Sequence, residues 1–272
     1  MTSDKESQIL CNRFLELARA AEYKYMNTFT SFLSLNEVSL FYQTIKELPH
    51  ISYSIFGGTL DAERRMICFH GEEYLIEHAK RTGNHNEVIL ELDEYRDIYP
   101  IVCIHISPLN AKFSDDLSHR DFLGAIMNLG IDRSKVGDIL LEQNKGYVFC
   151  EEVIGDYIID SLNKIKHTNV SCTKIPFKEL EIKPNFIEIQ GTVTSVRLDA
   201  VIATAFKTSR SGMTGYIEGG KVFVNGKETL SNSYVLKEND IVSVRGMGKF
   251  IYVGTTYQTK KGRYSITIKR YN

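Results

Sequence analysis

The stretch that decides the reading runs from residue 197 to residue 226: RLDAVIATAFKTSRSGMTGYIEGGKVFVNG. Its opening places Leu198, Val201, Ile202 and Ala205 at i, i+3, i+4 and i+7, the apolar stripe of an amphipathic helix with a basic exit at Lys207. Thr208-Ser209-Arg210-Ser211 then caps a second, short helix whose apolar residues are Met213, Tyr216 and Ile217, and Gly219-Gly220 ends it. Residues 221–224 alternate as a strand. Asn225-Gly226 supplies the positive-φ pair of a two-residue hairpin turn. Residues 240–245 are predicted to return as a strand, and 250–253 and 264–268 add two more across the turn at 260–263.

Upstream, strand-like runs and capped helices alternate. Residues 101–106 read as a strand, and Ser118 as the N-cap of a helix carrying Phe122, Ile126 and Leu129 on one face and stopped by Gly130. Residues 136–141 and 147–150 pair around the turn at 143–146. A helix with Val153, Ile154, Tyr157, Ile158, Leu162 and Ile165 on its buried side follows, and 170–175 closes as a strand. The order βαββαβ is the ferredoxin-like arrangement also used by RNA-recognition modules. The first 95 residues predict two or three helices, with Ile9, Leu10, Phe14, Leu17 and Ala21 along one face. Asn36 is read as the cap of a helix bearing Val38, Phe41 and Ile45. Apolar runs at 51–56 and 66–69 complete a small α+β unit. The expected class is thus α+β, divided as 1–95, 96–180 and 183–272.

The chain has 272 residues and a net charge of −1, which conceals two halves of opposite sign. Residues 183–272 hold 14 Lys+Arg against 6 Asp+Glu, or +8, and the remainder carries −9. A basic tail on an acidic body points to a polyanionic partner. Five scattered cysteines support neither a disulfide framework nor a zinc knuckle. The polar amino terminus lacks a signal sequence, and the longest uncharged run, 98–111, is too short and broken for a bilayer, so a cytoplasmic protein without a membrane partner is expected.

Two further stretches bear on nucleic-acid binding. Lys145-Gly146-Tyr147-Val148-Phe149-Cys150-Glu151-Glu152 is similar to the base-stacking motif of RNA-recognition modules at Lys145, Gly146, Tyr147 and Phe149, and departs from it at Val148 and Glu152. Gly57-Gly58, with Arg64 and Arg65 nearby, offers a turn whose backbone could approach a phosphate. Arg64, Arg65, Lys145, Tyr147 and Phe149 are therefore candidate secondary contacts for RNA or protein.

The spacing of Arg197-Leu198-Asp199, Ser209-Arg210-Ser211, 219–226 and 239–248 resembles the S4 RNA-binding domain over about 75 residues. Together with residues 56–65 and 129–139, it makes the chain similar to the YlmH family. That resemblance implies an RNA-binding factor of bacterial ribosomes that binds 23S rRNA and tRNA on the 50S subunit, in quality control of stalled peptidyl-tRNA. No DNA partner and no cofactor are expected. Arg197 and Arg210 open neighbouring helices, whose N-terminal amides attract phosphate while each guanidinium adds a bidentate fork. Lys207, Thr208 and Ser209 lie between them. Lys221, Asn225, Lys227, Arg245 and Lys249 extend the strip. Asp199 is read as a helix-start or arginine-orienting residue.

An enzyme is the main alternative, because S4 domains are fused to pseudouridine synthases and methyltransferases that modify rRNA. Here Arg197-Leu198-Asp199 runs into an apolar helix instead of a polar catalytic loop, and neither adjacent glycine pair sits in a Gly-x-Gly cofactor loop. The seven histidines show no ligand spacing. The other alternative is a protein-interaction or cell-division adaptor. The residues favour a non-catalytic RNA binder.

Overall fold

The computed structural model describes residues 2–142, 144–177, 180, 186–260 and 262–271, so the junction at Lys183-Pro184 lies outside the described residues, as does Lys261 of the turn at 260–263. The chain forms two compact units, Met1–Glu181 and Ile182–Asn272.

The first unit contains two sheets. Helix α1 (Thr2–Lys24) leads to β1 (Thr28–Phe29), α2 (Leu35–Thr44), β2 (Ser52–Phe56), β3 (Met66–Phe69), α3 (Glu73–Thr82), β4 (Asn86–Glu87) and α4 (Leu92–Ile98). The strands assemble in the order β1-β3-β2-β4, with β4 parallel to β2. Phe14, Leu17, Ala18 and Ala21 of α1 pack with Val38 and Phe41 of α2. The cap of α2 is Ser34 rather than Asn36: a capping box forms in which the Glu37 carboxylate accepts from the Ser34 N–H.

The second sheet holds β5 (Ile101–Pro108), β6 (Val136–Glu142), β7 (Lys145–Glu151), β8 (Lys164–Ile165) and β9 (Thr168–Ile175), with α5 (His119–Met127) and α6 (Glu152–Ser161) between strands. Its order β6-β7-β5-β9-β8, antiparallel throughout, is the ferredoxin-like order with one short extra strand. Ser118 caps α5 in a capping box with Asp121. Helix α6 ends at Ser161, so Ile165 belongs to β8, and Val153, expected on the buried side, is 81% exposed. Tyr157, one turn on and also expected on the buried side, is 49% exposed, so this edge of the helix faces solvent.

The two sheets share side chains. Phe32, Phe56, Met66 and Cys68 meet Tyr95, Tyr99, Ile101, Cys103 and Phe149 in one apolar cluster. Residues 1–95 and 96–180 therefore lie within one compact unit, and residue 95 falls inside α4.

The second unit begins with β10 (Phe186–Val193), a strand without a counterpart in the sequence reading, followed by α7 (Leu198–Ala205) and α8 (Arg210–Glu218). Then come β11 (Val222–Val224), β12 (Lys227–Glu228), β13 (Asp240–Val244), β14 (Gly248–Gln258) and β15 (Tyr264–Tyr271). The sheet order is β10-β15-β14-β13-β11-β12. Leu198, Val201, Ile202 and Ala205 of α7 and Met213 and Ile217 of α8 are buried against Val222, Val242, Phe250, Ile266 and Ile268. Asn225 (φ 51°) and Gly226 (φ 81°) close the hairpin with the primed turn expected of them.

Candidate nucleic-acid interface

The starts of α7 and α8 meet at Asp199, a carboxylate that is 6% exposed. One oxygen accepts from Arg210 Nη2 at 2.7 Å, and the other lies 3.3 Å from Arg197 Nε. That second oxygen also accepts the Ala200 N–H at 2.9 Å. A buried carboxylate needs such partners, because an unpaired charge out of water costs several kcal/mol. The two guanidiniums, with side chains 40% and 48% exposed, are thus held from behind and open to solvent in front. Asp199 orients both arginines, as its place in the sequence suggested. Because Arg197 pairs with Asp199, an Arg197→Ala change also takes a partner from the buried carboxylate.

Local chain chemistry positions this edge. Helix α7 ends with Lys207 in the left-handed region (φ 53°), while the Thr208 N–H reaches the Ala203 carbonyl at 2.9 Å. This reversal brings Ser209 to the N-cap of α8, where its hydroxyl accepts the Gly212 N–H at 3.2 Å. Lys207, Thr208, Ser209 and Arg210 are all exposed. The far end of α8 is closed by Gly220 (φ 66°), with the Lys221 N–H on the Tyr216 carbonyl.

The remaining candidates form a separate group. Lys221 and Arg245 are exposed neighbours, joined by the Arg245 N–H and the Lys221 carbonyl at 2.8 Å, and Lys221 Nζ sits 5.1 Å over the Tyr216 ring. At about 1.5 Å per residue, α8 separates Lys221 from Arg210 by roughly 15 Å. Lys249 Nζ lies 4.3 Å over the Tyr271 ring. Lys227 is exposed at the hairpin. Asn225 has another occupation: its amide donates to Asp240 at 2.8 Å and accepts the Ile241 N–H at 2.9 Å, stitching the hairpin to β13. Glu218 accepts from Asn232 at 2.9 Å.

In the first unit the secondary candidates are largely structural. Arg64 donates to the carbonyls of Val136 (2.9 Å), Phe32 (2.8 Å) and Arg133 (3.2 Å), and burial lowers its pKa. The Asp138 carboxylate accepts the N–H groups of Glu63 at 2.7 Å and Arg64 at 3.1 Å. The two stretches 56–65 and 129–139 are therefore one joint between the sheets. Arg65 donates to the Ala62 carbonyl. A Cβ on Gly57 would lie 2.2 Å from the Arg64 carbonyl oxygen and one on Gly58 2.2 Å from Phe149, so the glycines serve close packing. Phe149 is fully buried, stacked 6.2 Å from Phe177, and is closed to bases. Tyr147, on the same sheet face, is half-buried against His105 with ring centroids 5.0 Å apart, and its hydroxyl donates to Glu142. Lys145 is exposed beside it.

One array that spacing did not reveal has the outline of a hydrolytic triad. His70 Nε2 is 2.9 Å from Ser54 Oγ, and Nδ1 is 3.4 Å from the Glu72 carboxylate. Ser54 is fully buried and its hydroxyl also meets the Tyr99 hydroxyl at 2.9 Å, so the group is an internal polar stitch without substrate access. Among the described residues, no cluster of three or more His, Cys, Asp or Glu could hold a metal, and no helix is long and apolar enough to cross a membrane.

The chain is similar to known proteins. The chain is 28% identical over 271 residues to the "Ribosome-associated protein quality control protein P2" of Bacillus subtilis (strain 168), covering 98% of this chain and 96% of that protein. A solved structure, "Cell division protein ylmH from Streptococcus pneumoniae", is 22% identical with a TM-score of 0.46, covering 65% of this chain and 95% of that one. Residues 96–179 match the family described as "Putative RNA-binding domain in YlmH", and residues 196–242 match the S4 domain. The likeness to the YlmH family read from the sequence is thus borne out: the chain carries the YlmH RNA-binding domain followed by an S4 domain.

Proposed function

We propose that this protein is a non-catalytic, cytoplasmic RNA-binding factor that engages 23S rRNA and tRNA on the 50S subunit, in quality control of stalled peptidyl-tRNA. The observation that carries the reading is the pair Arg197 and Arg210, held by one buried carboxylate at the starts of adjacent helices. Backbone phosphates are met by the outward faces of both guanidiniums and by the first amides of α8, where the helix dipole adds its own attraction. Lys207, Thr208 and Ser209 flank this edge, and Lys221, Lys227, Arg245 and Lys249 grip the RNA farther along. Such a surface reads the position of phosphates and not base identity, which suits a preformed junction of rRNA and a tRNA stem. The relative's printed name supports the ribosomal setting.

Sedimentation of the tagged protein from cells tests the reading. It is expected to travel with 50S particles that contain tRNA, and Arg210→Ala is expected to release it to the top of the gradient. Recovery of the wild type in free fractions alone would remove the ribosomal assignment.

A further inference from the structure

The positive charge of the second unit is not where the S4 match lies. Residues 183–240 contain seven Lys+Arg and six Asp+Glu, a net of +1, whereas residues 241–272 contain seven Lys+Arg and no acidic residue. The S4 match ends at residue 242. Nearly all of the excess charge therefore sits on the turn before β14, on the ribbon β14–β15 and on the ribbon's tip.

The structure sorts these cations. Arg270 is engaged internally, donating to the Ala205 carbonyl at 3.1 Å at the end of α7. At the near end of the ribbon, Lys249 lies over Tyr271, Lys269 lies 6.0 Å over Phe186, and the two rings meet edge to face at 4.8 Å. Cation–ring contact restrains these side chains while keeping their charge. At the far end, Tyr257 is 63% exposed and Tyr264 38% exposed, beside exposed Lys260 and Arg263. The Arg263 guanidinium touches the Thr192 carbonyl at 2.9 Å, which props the tip against β10. Acidic neighbours reach the ribbon at Glu188, opposite Lys269, and at Glu238, packed on Gly254. The strands run about 30 Å at roughly 3.3 Å per residue, and register shifts at Tyr252/Gly254 and Thr255/Tyr257 add twist.

We propose that the ribbon β14–β15, outside the S4 match, is a second RNA-binding surface and the main source of phosphate neutralisation, with Lys260 and Arg263 on the backbone and Tyr257 and Tyr264 stacking on unpaired bases. The proposal rests on the RNA-binding reading above and assigns its electrostatic part to a different element. Each neutralised phosphate contributes about 0.7–0.9 to the slope of log affinity against log salt, and aromatic stacking on a base is worth on the order of tenfold in affinity.

The test uses the full chain and a fluorescein-labelled RNA stem-loop, titrated at several salt concentrations. K260Q/K261Q/R263Q is expected to lower the slope by about 2–3 and weaken binding at least tenfold. Tyr257→Ser is expected to weaken binding about tenfold with the slope unchanged. The charge-preserving K260R/K261R/R263K separates charge from any loss of folding and is expected to bind as the wild type does. If the neutralised variant keeps the wild-type slope while Arg210→Ala loses affinity, the ribbon proposal is overturned and the S4 reading stands. If the wild type itself does not bind the stem-loop, the RNA reading fails first. If the neutralised variant binds RNA normally but no longer binds phosphatidylserine vesicles that the wild type binds, the ribbon faces a lipid surface and the proposal is wrong.

Discussion

Arginines gather around an aspartate in both units, and the two clusters do opposite work. In the first unit Asp138 receives backbone amides, and Arg64 points its guanidinium at three carbonyls. Arg133 beside it donates to the carbonyls of Val136 and Gly137, and burial next to Arg64 lowers its pKa to about 10. Both arginines turn their donors to backbone carbonyls. In the second unit Asp199 is the buried member and its arginines stand half in solvent. A cation held from one side keeps donors for a ligand, whereas a cation saturated by carbonyls is part of the fold. The residue types, two arginines and an aspartate, are alike in the two cases. What the second face of the guanidinium meets decides between them.

Breaking the inner cluster should have the largest effect. Arg64→Ala takes this donor from the Phe32 and Arg133 carbonyls and leaves the Val136 carbonyl to Arg133 alone, and a loss of about 3 kcal/mol is expected. Calorimetry should show a lowered melting temperature, while RNA affinity of the folded protein at low temperature stays near wild type. An unchanged melting temperature would mean that the joint between the two sheets is held by packing alone.

The outer cluster should respond in the reverse sense. Arg197→Ala and Arg210→Ala are each expected to cost about 1–3 kcal/mol in RNA affinity. Because Asp199 anchors both, the double variant should lose less than the sum. Asp199→Asn should weaken RNA binding although the residue touches no RNA, since both forks lose their charged anchor. Additive losses in fluorescence titrations would show that the two arginines act independently.

Acidity should probe the first unit through His70. Burial lowers its pKa from 6.5, against the smaller opposing pull of Glu72. A base with a depressed folded pKa binds its proton more readily when unfolded, so stability is full above about pH 7 and falls as pH drops below the unfolded value near 6.5. His70→Gln should flatten this part of the stability–pH curve in denaturant titrations, and an unaltered slope would assign the effect elsewhere. The smallest effect is expected at Gly215, where an added methyl group meets open space. Gly215→Ala should stabilise α8 by up to about 1 kcal/mol and leave RNA affinity as it was.

Much of the second unit was legible in the sequence, because its signals are local. The stripe of α7, the Ser209 cap, the Gly220 stop and the Asn225-Gly226 turn each follow from residues within a few positions of one another. The strand β10 was not legible: its eight residues alternate only partly, and it is held by pairing with β15 some 80 positions away. Two or three helices were expected in the first 95 residues and, among the described residues there, four form, with α3 and α4 marked by no stripe or cap in that reading.

The sequence by itself determined the α+β class, the order of the ferredoxin-like sheet, the S4 elements and the identity of the two arginines that open its helices. Period and turn chemistry encode these within short windows. Only the tertiary structure decided what each candidate residue faces: Phe149 enters a core shared by two sheets, Arg64 ties three carbonyls, Asn225 stitches a hairpin, and Asp199 holds two arginines toward solvent. Exposure and hydrogen-bond saturation depend on groups distant in the chain, and no local pattern of residues records which groups those will be.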